Sequence, residues 1–250
     1  RRIEKGAVII ERPDITINLE GAGESITVSL DEDPLAPKAH LLVSELMVLT
    51  NAALAAWAKE HGVTLLHRTQ DVAIPKEFSG IWQTPLEIAR VVKALAPAVL
   101  ETNPRPHAGL GEAMYAPSTS PLRRYPDMIN ETQIISLLRD GKPRWSKEEL
   151  DTLLPLLNAH LDAAGQVQRF RPRYWKLLYF KQQGDRWWPA VITDENDAFV
   201  TVNMPKEQMI VRARRQFFGE RTHPGQELEI RLGKVHPLQN DFQLLETREI

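Results

Sequence analysis

The stretch with the most chemical potential covers residues 115–130, YAPSTSPLRRYPDMIN. Arg123 and Arg124 are adjacent, so on a turn their guanidinium groups diverge. A guanidinium is a planar fork that matches two phosphate oxygens at once. Ser118, Thr119 and Ser120 add hydroxyl donors, while Pro117, Pro121 and Pro126 fix φ and stiffen the loop. Asp127 either braces one arginine or caps the helix that follows. The pattern reads as a phosphate-binding turn. The structural alternative ties the arginines to Asp127 or to carbonyls at a helix C-terminus. The one tight acidic triplet, Asp31, Glu32 and Asp33, sits beside Pro34 in a polar loop and reads as solvated. No His-x-His pair is present, and there is no cysteine, so thiolate metal sites, cysteine nucleophiles and disulfide scaffolds are excluded.

Such a turn needs rigid neighbours. Residues 38–61 form the strongest helical pattern, with Leu42, Leu46, Leu49, Ala53 and Trp57 at three- and four-residue spacing and Gly62 as the stop. Residues 6–30 read as two short strands with a GAG turn, and residues 63–71 as another strand. Thr84 and Pro85 open a second helix to Leu95, and a proline-rich connector follows. Asp127 opens a helix to about Asp140, and the capping box SKEE (Ser146 to Glu149) opens a longer one to about Gln166. Beyond Trp175 the text becomes short alternating strands. Five of them in about 70 residues suit a small OB-type barrel. Trp187 and Trp188 are adjacent, so only one can face its interior.

The totals bound the rest. The chain has 250 residues, 42% of them hydrophobic, enough for one large domain and a small one. A net charge of −2 announces no polyanion partner. The lack of cysteine suits a reducing compartment such as the cytoplasm. No uninterrupted run approaches the ~18 apolar residues of a membrane span, so no membrane is expected. RRIEKGAVII is not a secretory signal, and the chain starts with Arg rather than Met, so it is read as part of a longer polypeptide.

YAPSTSPLRRYPDMIN resembles the signature of the ribonuclease II (RNB) family of 3′→5′ exoribonucleases, through Thr119, Ser120, Pro121, Arg123, Arg124, Tyr125 and Asp127. The likeness extends to GAVIIERPD, to the helix LLVSELMVLTNAALA through Glu45, Met47 and Asn51, and to HAGLGEAMY through His107, Gly109, Leu110 and Tyr115. It implies an α+β chain: the helix-rich latter half of an RNB-type catalytic domain over residues 1–176, then a five-stranded OB-fold RNA-binding barrel over 177–250. The implied activity is magnesium-dependent release of nucleoside 5′-monophosphates from single-stranded RNA. The aspartates that hold Mg2+ in the family fall upstream of this chain, so the expected partners are RNA and the missing N-terminal part of the same protein.

The resemblance also implies roles. Arg123 contacts the scissile phosphate, and Arg124 holds a neighbouring phosphate or pairs with Asp127. Tyr115 stacks on a base or packs behind the turn. Glu45 accepts from a ribose 2′-hydroxyl or forms a structural ion pair. Ser120, Asn51 and Arg68 match family positions and are assigned to RNA binding, with Asn51 alternatively a helix-packing amide; His107 matches one with a structural alternative as a turn histidine. Four positions depart from the family pattern: Ser44 replaces a glutamate, Ile9 a base-clamping aromatic, Ser118 an aromatic, and Glu131 a histidine.

Positive charge is local. Residues 115–181 hold 11 Lys and Arg against 7 Asp and Glu. In QRFRPRYWK, Arg169, Arg171 and Arg173 alternate with aromatics, which suits a single strand of RNA or a basic linker between domains. Arg212, Arg214 and Arg215 beside Phe217 and Phe218 read as an RNA guide or a domain interface. The leading function is an exoribonuclease whose isolated 250 residues bind RNA without cutting it. The alternatives are a non-catalytic single-stranded RNA-binding module and a protein adaptor.

Overall fold

The structure, a computed structural model, describes residues 1–33, 37–219 and 221–250. It is mixed helix and strand, and the chain falls into two compact units. The first gathers Arg1–Glu11, Ala36–Trp82 and Val91–Asp162; the second gathers Arg12–Leu35, Gln83–Arg90 and Ala163–Ile250.

In the first unit, β1 (Val8–Ile10) pairs in parallel with β5 (Gly80–Trp82), and β4 (His67–Thr69) pairs antiparallel with β6 (Val99–Glu101). Helix α1 (Pro37–Glu60) precedes β4. It ends where Gly62 turns left-handed, φ +66°, and the Val63 amide reaches back to the Ala58 carbonyl at 2.8 Å. Helix α3 (Tyr125–Asp140) has Pro126 in its first turn and is closed by left-handed Gly141. Ala55, Ala58, Leu65 and Ala116 make one small core, and Leu66, Ile129, Leu150 and Leu157 a second.

Most of α1 is apolar, yet Leu41, Leu42, Val43, Leu46 and Leu49 are about half exposed. Over Lys38–Glu60 its mean hydropathy reaches 1.6, so among the described residues one helix is, by length and composition only, long and apolar enough to cross a membrane. No uninterrupted apolar run of that length lies within it. Scattered Ser, Thr, Asn and Glu break the run without lowering its mean below that of a span.

Helix α2 (Pro85–Ala94) opens as expected: the Thr84 hydroxyl accepts from the Glu87 amide, and the Glu87 carboxylate accepts from the Thr84 amide. Helix α4 (Lys147–Gln183) opens with the same reciprocal pair between Ser146 and Glu149. It runs well past the predicted end at Gln166, through Pro172, so the basic segment QRFRPRYWK is helical. Its last turns bury Leu177 and Phe180 in the barrel core, and that packing outweighs the ~3 kcal/mol that an interior proline costs.

The second unit holds a hairpin, β2 (Ile15–Glu20) with β3 (Thr27–Glu32), and a curled five-stranded antiparallel sheet. The sheet comprises β7 (Trp187–Glu195), β8 (Phe199–Met204), β9 (Met209–Arg214), β10 (Glu227–His236) and β11 (Asp241–Glu249), in the order β11-β10-β7-β8-β9. That order, with two edges left unpaired to each other, is a partly open OB barrel. Inward residues alternate along each strand: Val200, Val202 and Met204 on β8, Met209 and Val211 on β9. Trp188 is buried; Trp187 faces out beneath the Arg248 guanidinium, 4.4 Å from its ring. Asp31 and Glu32 close β3 instead of lying in a loop, while Pro34, Leu35 and Ala36 lie outside the described residues.

Candidate nucleic-acid interface

The arginine turn is braced on three sides by side chains from fixed elements. From α1, the Asn51 amide nitrogen donates to the Tyr115 hydroxyl at 2.8 Å and to Thr119 Oγ1 at 3.3 Å, and its oxygen accepts from the Ser118 amide at 2.9 Å. From α3, the Asn130 amide donates to the Pro117 and Leu66 carbonyls, both at 2.9 Å, and accepts from the Leu66 amide at 2.7 Å. This clamps the turn to the segment entering β4. Asn51 and Asn130 are fully buried, so each such bond fixes position as well as satisfying a polar group.

Asp127 is the third brace. Its Oδ1 accepts from the Ser120 amide at 2.9 Å, from Arg124 Nε at 3.1 Å and from an Arg124 terminal nitrogen at 2.7 Å. Arg124 also donates to Thr119 Oγ1 at 3.2 Å. The Ser120 carbonyl accepts from the amides of Arg123 and Arg124 at 3.2 and 3.0 Å, which closes the corner. Arg124 is thereby neutralised and folded inward. Arg123 is exposed and has no acidic partner among the described residues, and Leu122 beside it is wholly exposed. The turn thus presents one free guanidinium on a rigid corner.

Arg68 stands exposed on β4, with no acidic partner among the described residues, and its amide donates to the Tyr115 carbonyl at 2.9 Å. His107 packs edge-on against Tyr115, ring centroids 5.8 Å apart. Burial, then the nearby Arg68 charge, lowers the His107 pKa to about 4. His67 falls to about 4 through burial, partly opposed by Glu101. Both imidazoles are therefore neutral at pH 7. Tyr115 is buried and hydrogen-bonded through its hydroxyl, so it packs behind the turn. Glu45 pairs with Arg2, which also donates to the Leu110 carbonyl.

Ser118, where the family has an aromatic, is buried, and its hydroxyl donates to the Ala116 carbonyl at 3.3 Å. Ser44 is exposed on α1, and Ile9 lies on β1.

The cations of the second unit divide by partner. Arg169 and Arg171 are exposed on α4. Arg173 is turned onto the barrel, donating to the Ile210 carbonyl and lying 5.7 Å from the Phe242 ring. Burial lowers its pKa. Lys176 donates to the Gln208 carbonyl at 3.0 Å. Burial, with Arg12 and Arg173 adding to it against Glu207, brings the Lys176 pKa down to about 8. Arg215 pairs with Glu195 at 3.3 Å and donates to Thr222. Arg212 and Arg214 face solvent from β9.

Residue order alone did not single out Phe199. It pairs with Arg214 across β8–β9, and the Arg212 guanidinium lies 4.4 Å from its ring. The signal was the alternation in FVTVNM, which turns Val200, Val202 and Met204 inward and Phe199 outward. An aromatic beside two arginines on strands two and three of an OB barrel can stack a base and hold phosphates. Asn130 was also missed, because an amide within an apolar helix carries no signal until its partners are seen.

Among the described residues, no three His, Asp or Glu side chains converge as metal ligands. Asp31 and Asp33 are exposed, and each accepts a hydrogen bond from β2, from Asn18 and Thr16. The donors present do not fit a magnesium site.

An RNB-type fold joined to an OB barrel, with a locked arginine turn, defines the architecture of ribonuclease II-like nucleases. The RNB domain profile matches residues 1–140, and the chain belongs to the RNB family. It is 26% identical over 248 residues to the chloroplastic and mitochondrial ribonuclease II of Arabidopsis thaliana, covering 94% of this chain and 30% of that protein. It superposes on the Dss1 exoribonuclease of Candida glabrata with a TM-score of 0.80 at 22% identity, covering 97% of this chain and 33% of that one. On Mycoplasma genitalium RNase R in complex with ribose-methylated single-stranded RNA the TM-score is 0.74 at 16% identity, covering 98% and 47%. The chain spans about a third of the length of the curated relatives it matches.

Proposed function

We propose that this chain is the arginine-bearing and RNA-guiding portion of a 3′→5′ exoribonuclease that hydrolyses single-stranded RNA to nucleoside 5′-monophosphates. One observation carries the reading: Arg123 is a free guanidinium on a corner locked by Asn51, Asp127 and Asn130. A preorganised cation stabilises charge that grows on phosphate oxygens in the transition state without reorganising at that moment. Arg124 acts through the turn, holding Ser120 and Asp127 so that Arg123 keeps its aim. On the barrel, Phe199 stacks a base while Arg212 and Arg214 take phosphates.

Magnesium belongs to the same proposal: carboxylates outside this chain would hold it, and it would supply Lewis-acid chemistry at the phosphate. The half-exposed leucines of α1 favour a docking face for that carboxylate-bearing portion. Asn51 on the same helix grips the arginine turn, so a cover over Leu46 and Leu49 arrives within two helical turns of it. Cytoplasmic residence is part of this reading.

The test is trimming of a 5′-labelled oligoribonucleotide in magnesium. The 250 residues alone are expected to shift the oligonucleotide without shortening it. The polypeptide containing the metal portion shortens it from the 3′ end, and Arg123→Ala suppresses that turnover with little loss of binding. Shortening by the 250 residues alone, or full turnover by Arg123→Ala, refutes the reading. The departures at Ser44, Ile9 and Ser118 favour a second reading, a non-catalytic single-stranded RNA-binding module. Magnesium-dependent turnover by the longer polypeptide excludes it.

A further inference from the structure

The barrel carries a cavity of about 470 Å³ away from the β8–β9 face. It opens where the β10–β11 ladder is broken twice. Between Arg231 and Leu232 the register slips by an extra residue on β11, and between Leu232 and Val235 by an extra residue on β10. Paired bulges of this kind re-aim side chains and open a sheet locally. Gly233 lies at the break because a Cβ there would meet the Leu245 side chain at 2.9 Å. Glycine within a strand also lets a ligand or another backbone approach closely.

The lining has two chemistries. Phe180, Leu232, Val235 and Leu245 give an apolar floor. Lys181 rises from the last turn of α4 and Lys234 from the β10 bulge, with His236 beside them. Neither ammonium has an acidic partner among the described residues. The nearest acid in the lining, Asp185, is already occupied, because Arg231 donates to it through Nε at 2.6 Å and through a terminal nitrogen. The cavity therefore offers an apolar floor beside two positive charges that have no acidic partner among the described residues, carried on separate elements. Its volume falls within the range of small-ligand sites.

We propose that this cavity binds a nucleoside 5′-phosphate, free in solution or as a unit of an RNA strand. The apolar floor takes the base, and Lys181 and Lys234 take the phosphate from two sides. The site is independent of the arginine turn and of the β8–β9 face, and it stands whether or not the turn cleaves RNA.

The chain has no cysteine, so Leu245→Cys places a single thiol in the lining. Its alkylation rate reports occupancy directly. With a Kd on the order of 1 mM, about 5 mM 5′-AMP slows alkylation about sixfold. Lys181→Glu with Lys234→Glu in the same chain abolishes that protection. Protection by oligoadenylate as well identifies a unit of RNA as the ligand; protection by 5′-AMP alone identifies a free nucleotide. Adenosine protecting as well as 5′-AMP, protection surviving the double charge reversal, or no protection by either phosphate ligand overturns the proposal. Unchanged circular dichroism of Leu245→Cys confirms that the reporter itself folds.

Discussion

Replacing Asp127 with alanine removes the carboxylate that organises the arginine turn. Asp127 is 1% exposed, and its partner Arg124 is 32% exposed. The lost contacts are the Ser120 amide at 2.9 Å and the Arg124 fork at 2.7 and 3.1 Å. A hydrogen bond to a charged group contributes ~1.5–3 kcal/mol, and the lower end applies where the arginine is partly in water. The amide adds ~1 kcal/mol, which gives ~2.5 kcal/mol for Asp127→Ala. Asp127→Asn keeps an acceptor for Ser120 but removes the charge, so it costs ~1.5 kcal/mol. Urea unfolding followed by tryptophan fluorescence reads these as a lowered midpoint at constant slope. A double-mutant cycle with Arg124→Gln should give a coupling of ~1 kcal/mol or more. Turnover by the longer, metal-bearing polypeptide should fall with Asp127→Ala although Asp127 is buried, because Arg123 loses its fixed aim. A cost under ~0.5 kcal/mol with zero coupling would show that the backbone alone holds the corner, and the argument for a preorganised Arg123 would fail.

Arg123→Ala should leave the stability within ~0.5 kcal/mol of the parent, since the side chain has no acidic partner among the described residues to lose. In the longer, metal-bearing polypeptide the same change should lower kcat by about 100- to 1,000-fold, measured on labelled oligonucleotide. Arg212→Ala should weaken RNA binding and flatten the slope of log affinity against log salt by about 0.7, the value for one single-strand phosphate, read by fluorescence anisotropy. Arg215→Ala, already paired with Glu195, should instead lower stability with little change in that slope. His67 and His107 titrate near 4 when folded, below the ~6.5 of an unfolded histidine. Below pH 6.5 the unfolded chain therefore binds more protons. Stability is complete above that pH and is lost as pH falls toward 4, by on the order of 2–3 kcal/mol for each histidine. His67→Gln should flatten the pH dependence of the urea midpoint between 6.5 and 4.

Much of this molecule was legible before its structure. Periodic leucines and Gly62 gave α1, the N-cap Thr84 with Pro85 gave the start of α2, the capping box at Ser146 gave the start of α4, and five alternating strands gave the barrel. These signals are local: each rests on residues within one or two turns of chain. The arginine turn was legible for the same reason, because proline, hydroxyl and arginine spacing are properties of the segment itself. The end of α4 was not, because Pro172 argues for a stop and only burial of Leu177 and Phe180 overrides it.

The sequence by itself determined which groups could act: two arginines on a stiff corner, basic residues among aromatics, and no thiol. Only the tertiary structure decided which of them are free. Arg123 and Arg124 are equivalent in text, but Asp127 claims one and leaves the other in solvent. Arg212 and Arg215 are equally basic, but Glu195, twenty residues from Arg215 in sequence, neutralises only the second. Charge is written residue by residue. Whether it is spent inside the fold depends on partners that the chain brings together only when it closes.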